Sequence, residues 1–180
     1  MTTDGPPVSS SVDHDAHAMA ADVLGLLNRG GETLATAESL TGGLVAVALT
    51  SIPGSSAVVR GGLVAYATDV KRDVLGVGAD LIATHTVTSA EAAGAMAAGA
   101  VTLFASTWAV STTGVAGPER QDNRPVGTVH VGVAGPAGSN SASVTTAEFA
   151  LTGSREEIRT ASVVVALRTL LDRVTQCSLG

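Results

Sequence analysis

The chain has 180 residues, 45% of them hydrophobic, and a formal net charge of −6. That length fits one domain plus a tail, and the negative balance argues against a nucleic-acid backbone as partner. No run of about 18 uninterrupted apolar residues is present to span a bilayer, and the start lacks the basic and apolar regions of a signal peptide, so a soluble cytoplasmic protein is expected.

Residues 1 to about 15 are rich in Gly, Pro, Ser, Thr and Asp and read as a disordered tail. His14 and His17 beside Asp13 and Asp15 make only a weak metal-binding pattern there. Ala20, Val23, Leu24 and Leu27 keep helical spacing, so the first helix ends at Gly30-Gly31. A strand is predicted over Thr33–Ala37 and a helix from about Gly42 to Thr50. After a turn at Pro53–Ser56, Val58–Ala67 reads as a strand and Asp69–Leu75 as a short helix. His85 falls in a loop. Thr88 and Glu91 form a capping box that opens an Ala-rich helix to about Ala105.

Trp108–Thr113 is a predicted strand that runs into Gly114–Pro118 and a polar loop to Pro125. Val129, Val131 and Val133 alternate with Thr128, His130 and Gly132, so one face of this strand is buried. Thr145, Ala147, Phe149 and Leu151 share one face of its partner in an antiparallel hairpin. Ser154 and Glu157 make a second capping box. Val163, Ala166, Leu167, Leu170, Leu171 and Val174 follow at helical spacing. This order predicts an α/β fold, a three-layer α/β/α sandwich around a mixed, mostly parallel five-stranded sheet, with sites at the carboxyl ends of strands. It is a single domain over residues 16–175, with tails at 1–15 and 176–180. Aromatics are 2% of the chain, so the core must be built from Ala, Val and Leu. The single cysteine, Cys177, has no internal disulfide partner and reads as a bystander.

Thr36-Ala37-Glu38-Ser39-Leu40-Thr41-Gly42-Gly43 carries the most chemistry. A serine at a strand-to-helix turn projects its hydroxyl into a cleft, and the first N–H groups of the helix favour an anion or a developing oxyanion. The plain alternative is a capped helix start. Ser39 needs a base, and no histidine is an obvious partner. Tyr66 and Lys71 stand at the end of the second strand. A buried lysine whose pKa falls can act as a base, and a tyrosine can relay a proton. A strand-edge tyrosine and a solvated lysine are the bland readings. Gly114–Pro118 can wrap a ligand with backbone N–H groups or simply connect two strands. Arg159 can fork onto a phosphate or pair with Glu156. No Gly-Lys-Ser/Thr follows either glycine loop, so neither is a P-loop.

Read together and in order, ATAESLTGG, PGSS, GGLVAYATDVK, TGVAGP, RPVGTV and the last capped helix with Arg159 resemble the CinA C-terminal domain family. Its members include bacterial nicotinamide mononucleotide amidohydrolases. The resemblance covers residues 16 to 175 and implies a three-layer sandwich with a mixed five-stranded sheet, the stand-alone form of the domain, and a homodimer. It implies hydrolysis of the carboxamide of nicotinamide mononucleotide to the acid and ammonia, with no metal or other cofactor. It places the catalytic serine on Ser39, the tyrosine on Tyr66 and the lysine on Lys71. Contacts to the nucleotide substrate fall near Thr41, Gly42, Gly43, Thr113, Gly114 and Arg159. One stretch departs from the family: Glu119-Arg120-Gln121-Asp122-Asn123 replaces a Gly-rich run. That departure motivates two rivals, a catalytically silent nucleotide-binding or regulatory module and an amidase for another small amide.

Overall fold

The computed structural model describes residues 12–137 and 141–178. Helix α1 spans Val12–Arg29, β1 Leu34–Glu38, α2 Leu44–Thr50, β2 Val59–Val64, α3 Thr68–Asp73 and α4 Ala79–His85. Then come α5 Ala90–Phe104, β3 Trp108–Gly114, β4 Thr128–Ala137, β5 Ser141–Ala150 and α6 Arg155–Ser178. The five strands form one sheet in the order β2-β1-β3-β4-β5. β1 pairs in parallel with β2 and β3, whereas β4 is antiparallel to both β3 and β5. Four strands therefore run one way and β4 alone opposes them.

The sheet divides the core in two. On one face Val129, Val131 and Val133 pack with the apolar faces of α1, α2 and α6, and Val23, Leu27, Leu167 and Leu170 are fully buried there. The other face is built from small side chains: Ala35, Ala37, Ala65, Ala100 and Ala109 pack with Leu75, Val77 and Met96. Small residues let α5 lie almost on the sheet. Ser111 Oγ donates to the Ala93 carbonyl at 2.6 Å, and a Cβ at Gly132 would stand 2.4 Å from that same oxygen. Gly132→Ala is therefore expected to push α5 outward and cost roughly 1–3 kcal/mol by overpacking. A urea midpoint equal to that of the parent chain would show that α5 has slack.

The β4–β5 hairpin is antiparallel as expected, with Val129 opposite Phe149 and Val131 opposite Ala147, but β4 is buried on both faces and not on one, His130 at 1% exposure, because α5 covers the face opposite the valines. The second capping box is reciprocal: Ser154 N donates to Glu157 Oε2 at 2.7 Å, and Glu157 N to Ser154 Oγ at 3.3 Å. Four more expectations need correcting. Helix α1 starts at Val12, so residues 12–15 are helical, and only 1–11 of the expected tail lie outside the described residues. Helix α6 likewise runs through 176–178, leaving 179–180 outside. His85 ends a helix, α4, that the sequence reading passed over. The N-cap of α5 is Ser89, whose Oγ accepts from Ala92 N at 3.1 Å, and not Thr88. Two adjacent hydroxyl residues compete for one cap, and the geometry of the preceding turn selects the second.

Candidate active site

A cavity opens at the carboxyl ends of β1, β2 and β3, where the chain leaves the adjacent strands β1 and β3 toward opposite edges of the sheet. This is the crevice that doubly wound sheets use for ligands. Ser39 follows β1, Tyr66 and Lys71 follow β2, and Thr113 with Gly114 ends β3; all five line this one cavity. Thr88, Glu119, Gln121 and Arg155 complete its polar wall. The sequence reading had these elements scattered over more than half the chain.

Lys71 is 2% exposed. It is the chain's only lysine, against nine arginines. Its Nζ donates to the Tyr66 carbonyl at 3.1 Å. Burial pushes its pKa below the ordinary lysine value, with the carboxylate of Asp122 pulling the other way. Ser39 is 9% exposed, its N–H donating to Thr112 C=O at 2.9 Å. No direct Ser39–Lys71 hydrogen bond is present among the described residues, an arrangement common in unliganded sites. Tyr66 is 59% exposed, and its hydroxyl accepts from Arg155 Nη2 at 2.9 Å. The same guanidinium donates through Nη1 to the Gly117 carbonyl. Arg155 thus ties the loop after β3 to the end of β2 across the cavity mouth.

The turn that carries Ser39 is held from below by Glu38, which is 1% exposed. Its Oε2 accepts from Thr41 Oγ1 at 2.7 Å, Gly43 N at 2.9 Å and Val45 N at 3.0 Å, and its Oε1 from Ala46 N at 2.8 Å. Because the Thr41 proton goes to Glu38, Thr112 Oγ1 must donate to Thr41 Oγ1 at 2.7 Å. The chain reverses here through Gly42 at φ 62 and Gly43 at φ 100, both in the region that favours glycine. Arg159 closes the turn from above, Nε to Leu40 C=O at 3.0 Å and Nη2 to Thr41 C=O at 2.9 Å.

Several expected ligand contacts therefore sit elsewhere. Thr41, Gly42, Gly43 and Arg159 do not line the cavity. The Gly43 N–H is taken by Glu38 and the Gly42 N–H by Ser39 C=O at 3.1 Å, so the start of α2 is already occupied by the chain's own carboxylate. Arg155, not Arg159, presents its guanidinium to the cavity.

The profile of the CinA C-terminal domain family matches residues 16–174. The chain belongs to the CinA C-terminal domain family. A CinA-like protein of Frankia casuarinae is 51% identical over 145 residues, 81% of this chain and 32% of its own length. A CinA-like protein of Mycolicibacterium gilvum is 47% identical over 141 residues, 78% of this chain and 32% of its own. The chain spans about a third of the length of the relatives it matches. The crystal structure of competence/damage inducible protein CihA from Agrobacterium tumefaciens superposes with a TM-score of 0.81 at 37% identity, covering 95% of this chain and 98% of that one. That of competence damage-inducible protein A from Klebsiella pneumoniae gives 0.83 at 30%, covering 89% and 97%.

Within this CinA-family fold, three site residues escaped the sequence reading: Glu38, Arg155 and Asp122. Glu38 was legible as part of ESLTGG but carried no role. Arg155 stands next to the Ser154 cap and looks like any surface arginine. One signal for Lys71 was available and unused: a chain that otherwise places arginine at every basic position keeps a single lysine. Lysine, unlike arginine, can lose its proton at accessible pH. Among the described residues no group of three His, Cys, Asp or Glu side chains is placed to hold a metal, and no helix is long and apolar enough to cross a membrane.

Proposed function

We propose that this cavity hydrolyses the carboxamide of nicotinamide mononucleotide, releasing ammonia and the corresponding acid through an acyl-enzyme on Ser39. The observation that carries the reading is the convergence of Ser39 with the only lysine, buried, in one cavity at the carboxyl ends of the strands. Neutral Lys71 keeps a lone pair while donating to Tyr66 C=O. It takes the Ser39 proton as Oγ attacks the amide carbon, directly or through the Tyr66 hydroxyl. The resulting ammonium, or Tyr66, protonates the departing ammonia. Water then attacks the ester with Lys71 again as base.

With Gly42 and Gly43 N–H engaged, the oxyanion falls to the N–H of Leu40, which lines the cavity directly after the nucleophile. Arg159 stiffens the turn just after that donor by holding the Leu40 and Thr41 carbonyls, and one oxyanion donor is worth about 3 kcal/mol. Arg155 and the Gly114–Gly117 loop receive the phosphate and ribose. The experiment is ammonia release from nicotinamide mononucleotide by the purified chain beside Ser39→Ala. Tight mononucleotide binding with no release would favour the silent binding module, and release from a different amide alone would move the substrate.

The pH dependence has a definite sign. Protonated Lys71 cannot accept a proton, so kcat/KM should rise as pH climbs through the lysine pKa. Burial places that rise below the ordinary value of 10.5. Between the lowered value and 10.5 the unfolded chain binds the extra proton, so stability should also rise with pH across that window. Lys71→Met should abolish ammonia release and remove the rise of stability across that window. A variant that keeps the ascending limb of the rate profile would assign that limb to another group.

A further inference from the structure

The loop that departs from the family pattern is an ordered hairpin tip. Arg124 N donates to Gln121 C=O at 2.7 Å, and Gln121 and Arg124 form an isolated antiparallel bridge. The two central residues, Asp122 and Asn123, have φ of 52° and 60°. Positive φ at both positions is the signature of a primed two-residue turn, and Asp and Asn are the non-glycine residues that tolerate it best. Arg120 Nη2 caps the tip by donating to Asn123 C=O at 3.0 Å. Asp122 is exposed overall, but its Oδ2 accepts from Thr88 Oγ1 at 2.9 Å, which holds the carboxylate against the cavity wall. Thr88 is 2% exposed and lines the same cavity as Lys71. With Ser89 capping α5, the Thr88 hydroxyl is left to serve the loop.

We propose that Asp122 is a positioning residue that sets the protonation state of Lys71, using Thr88 as the tether that holds its carboxylate at the cavity wall. The inference concerns regulation of the site just described and takes its functional meaning from that reading, although the chemistry of Lys71 does not depend on it. The charged neighbours are few. Helix α3 itself carries Asp69 and the exposed Arg72–Asp73 pair. The loop after β3 brings Glu119 and Asp122, and α6 brings Arg155. From β1, Ser39 is uncharged and the Glu38 carboxyl is spent on α2. From β2, Tyr66 presents its carbonyl, and Val87 and Thr88 bring no charge. Asp122 is the acid whose charge acts on Lys71, opposing the desolvation that favours the neutral amine. The loop thereby limits how far the base is activated.

Because Lys71 is the only ε-amine in the chain, its proton can be followed without turnover. Acetylation by dilute acetic anhydride, read by mass spectrometry across a pH series, reports the neutral fraction of Lys71, with the α-amine as internal reference. Asp122→Asn keeps an acceptor for Thr88 and removes only the charge. It should shift the Lys71 midpoint to lower pH and speed acetylation at neutral pH by roughly threefold, a modest factor because the carboxylate is partly solvated. Asp122→Glu should restore the parent midpoint. A midpoint in Asp122→Asn that is unchanged or raised overturns the proposal, as does a shift that Asp122→Glu reproduces. Ammonia release, measured in parallel, tests the amidase reading separately. If that reading fails while the acetylation midpoint moves, Asp122 still tunes Lys71 in a site of another function.

Discussion

Ser39→Ala is expected to reduce ammonia release from nicotinamide mononucleotide by roughly 10⁴-fold or more, because it removes the only atom to which the acyl group can attach. The cavity, the buried base and the oxyanion peptide survive the change. Ser39 Oγ caps no helix; the turn is held by its backbone, by Glu38 and by Arg159. The urea midpoint and mononucleotide affinity should therefore stay close to those of the parent chain. That pairing separates chemistry from folding. Full activity in the purified variant would sink the serine mechanism and point to a water nucleophile activated by Lys71. A parent chain that binds the mononucleotide but releases nothing would instead leave the silent module as the better reading.

Glu38→Ala should produce the largest loss of stability among single changes at the site. The carboxylate is buried and accepts four hydrogen bonds, from one hydroxyl and three backbone N–H groups. Truncation leaves the three backbone donors without that partner, while the Thr41 hydroxyl can turn to Thr112 Oγ1, and it removes the negative group that complements the start of α2. Breaking one such buried charged network costs about 3–5 kcal/mol, a large part of a domain's total stability. Glu38→Gln should cost less, about 1–3 kcal/mol, because its amide oxygen can stand at the Oε2 position while its NH₂ confronts the Ala46 N–H. Urea unfolding of both variants checks the order. Equal midpoints for the parent and the alanine variant would mean that water replaces the carboxylate, and that α2 needs no internal cap. Activity should fall with stability, since the Leu40 peptide hangs on the same turn.

What could be read in advance was local. The apolar spacing of α6 and the Ser154–Glu157 box are properties of neighbouring residues, and the structure bears them out; the alternation of β4 marked its valine face but not that α5 would bury the other. The strand-turn-helix around Ser39 and the family were legible for the same reason, since a short ordered set of motifs carries them. Helix α4 was missed because its few apolar residues, Leu81 and Ile82 among them, lack a long periodic run. The N-cap of α5 was placed one residue early because Thr88 and Ser89 have the same capping chemistry.

The sequence by itself determined most of the elements, the family and the strand-turn-helix around Ser39, because backbone propensity and hydrophobic period act over a few residues. Tertiary structure alone decided which groups the chemistry can use. Burial lowers the pKa of the single lysine, and burial is a property of packed layers, not of its own helix. Arg155 meets Tyr66 across 89 positions of chain, and Asp122 meets Thr88 across 34. Glu38 turns inward to occupy the very N–H groups that spacing had assigned to an oxyanion. A hydrogen-bond donor can be counted from the sequence, but its partner is chosen by whatever the fold brings within 3 Å.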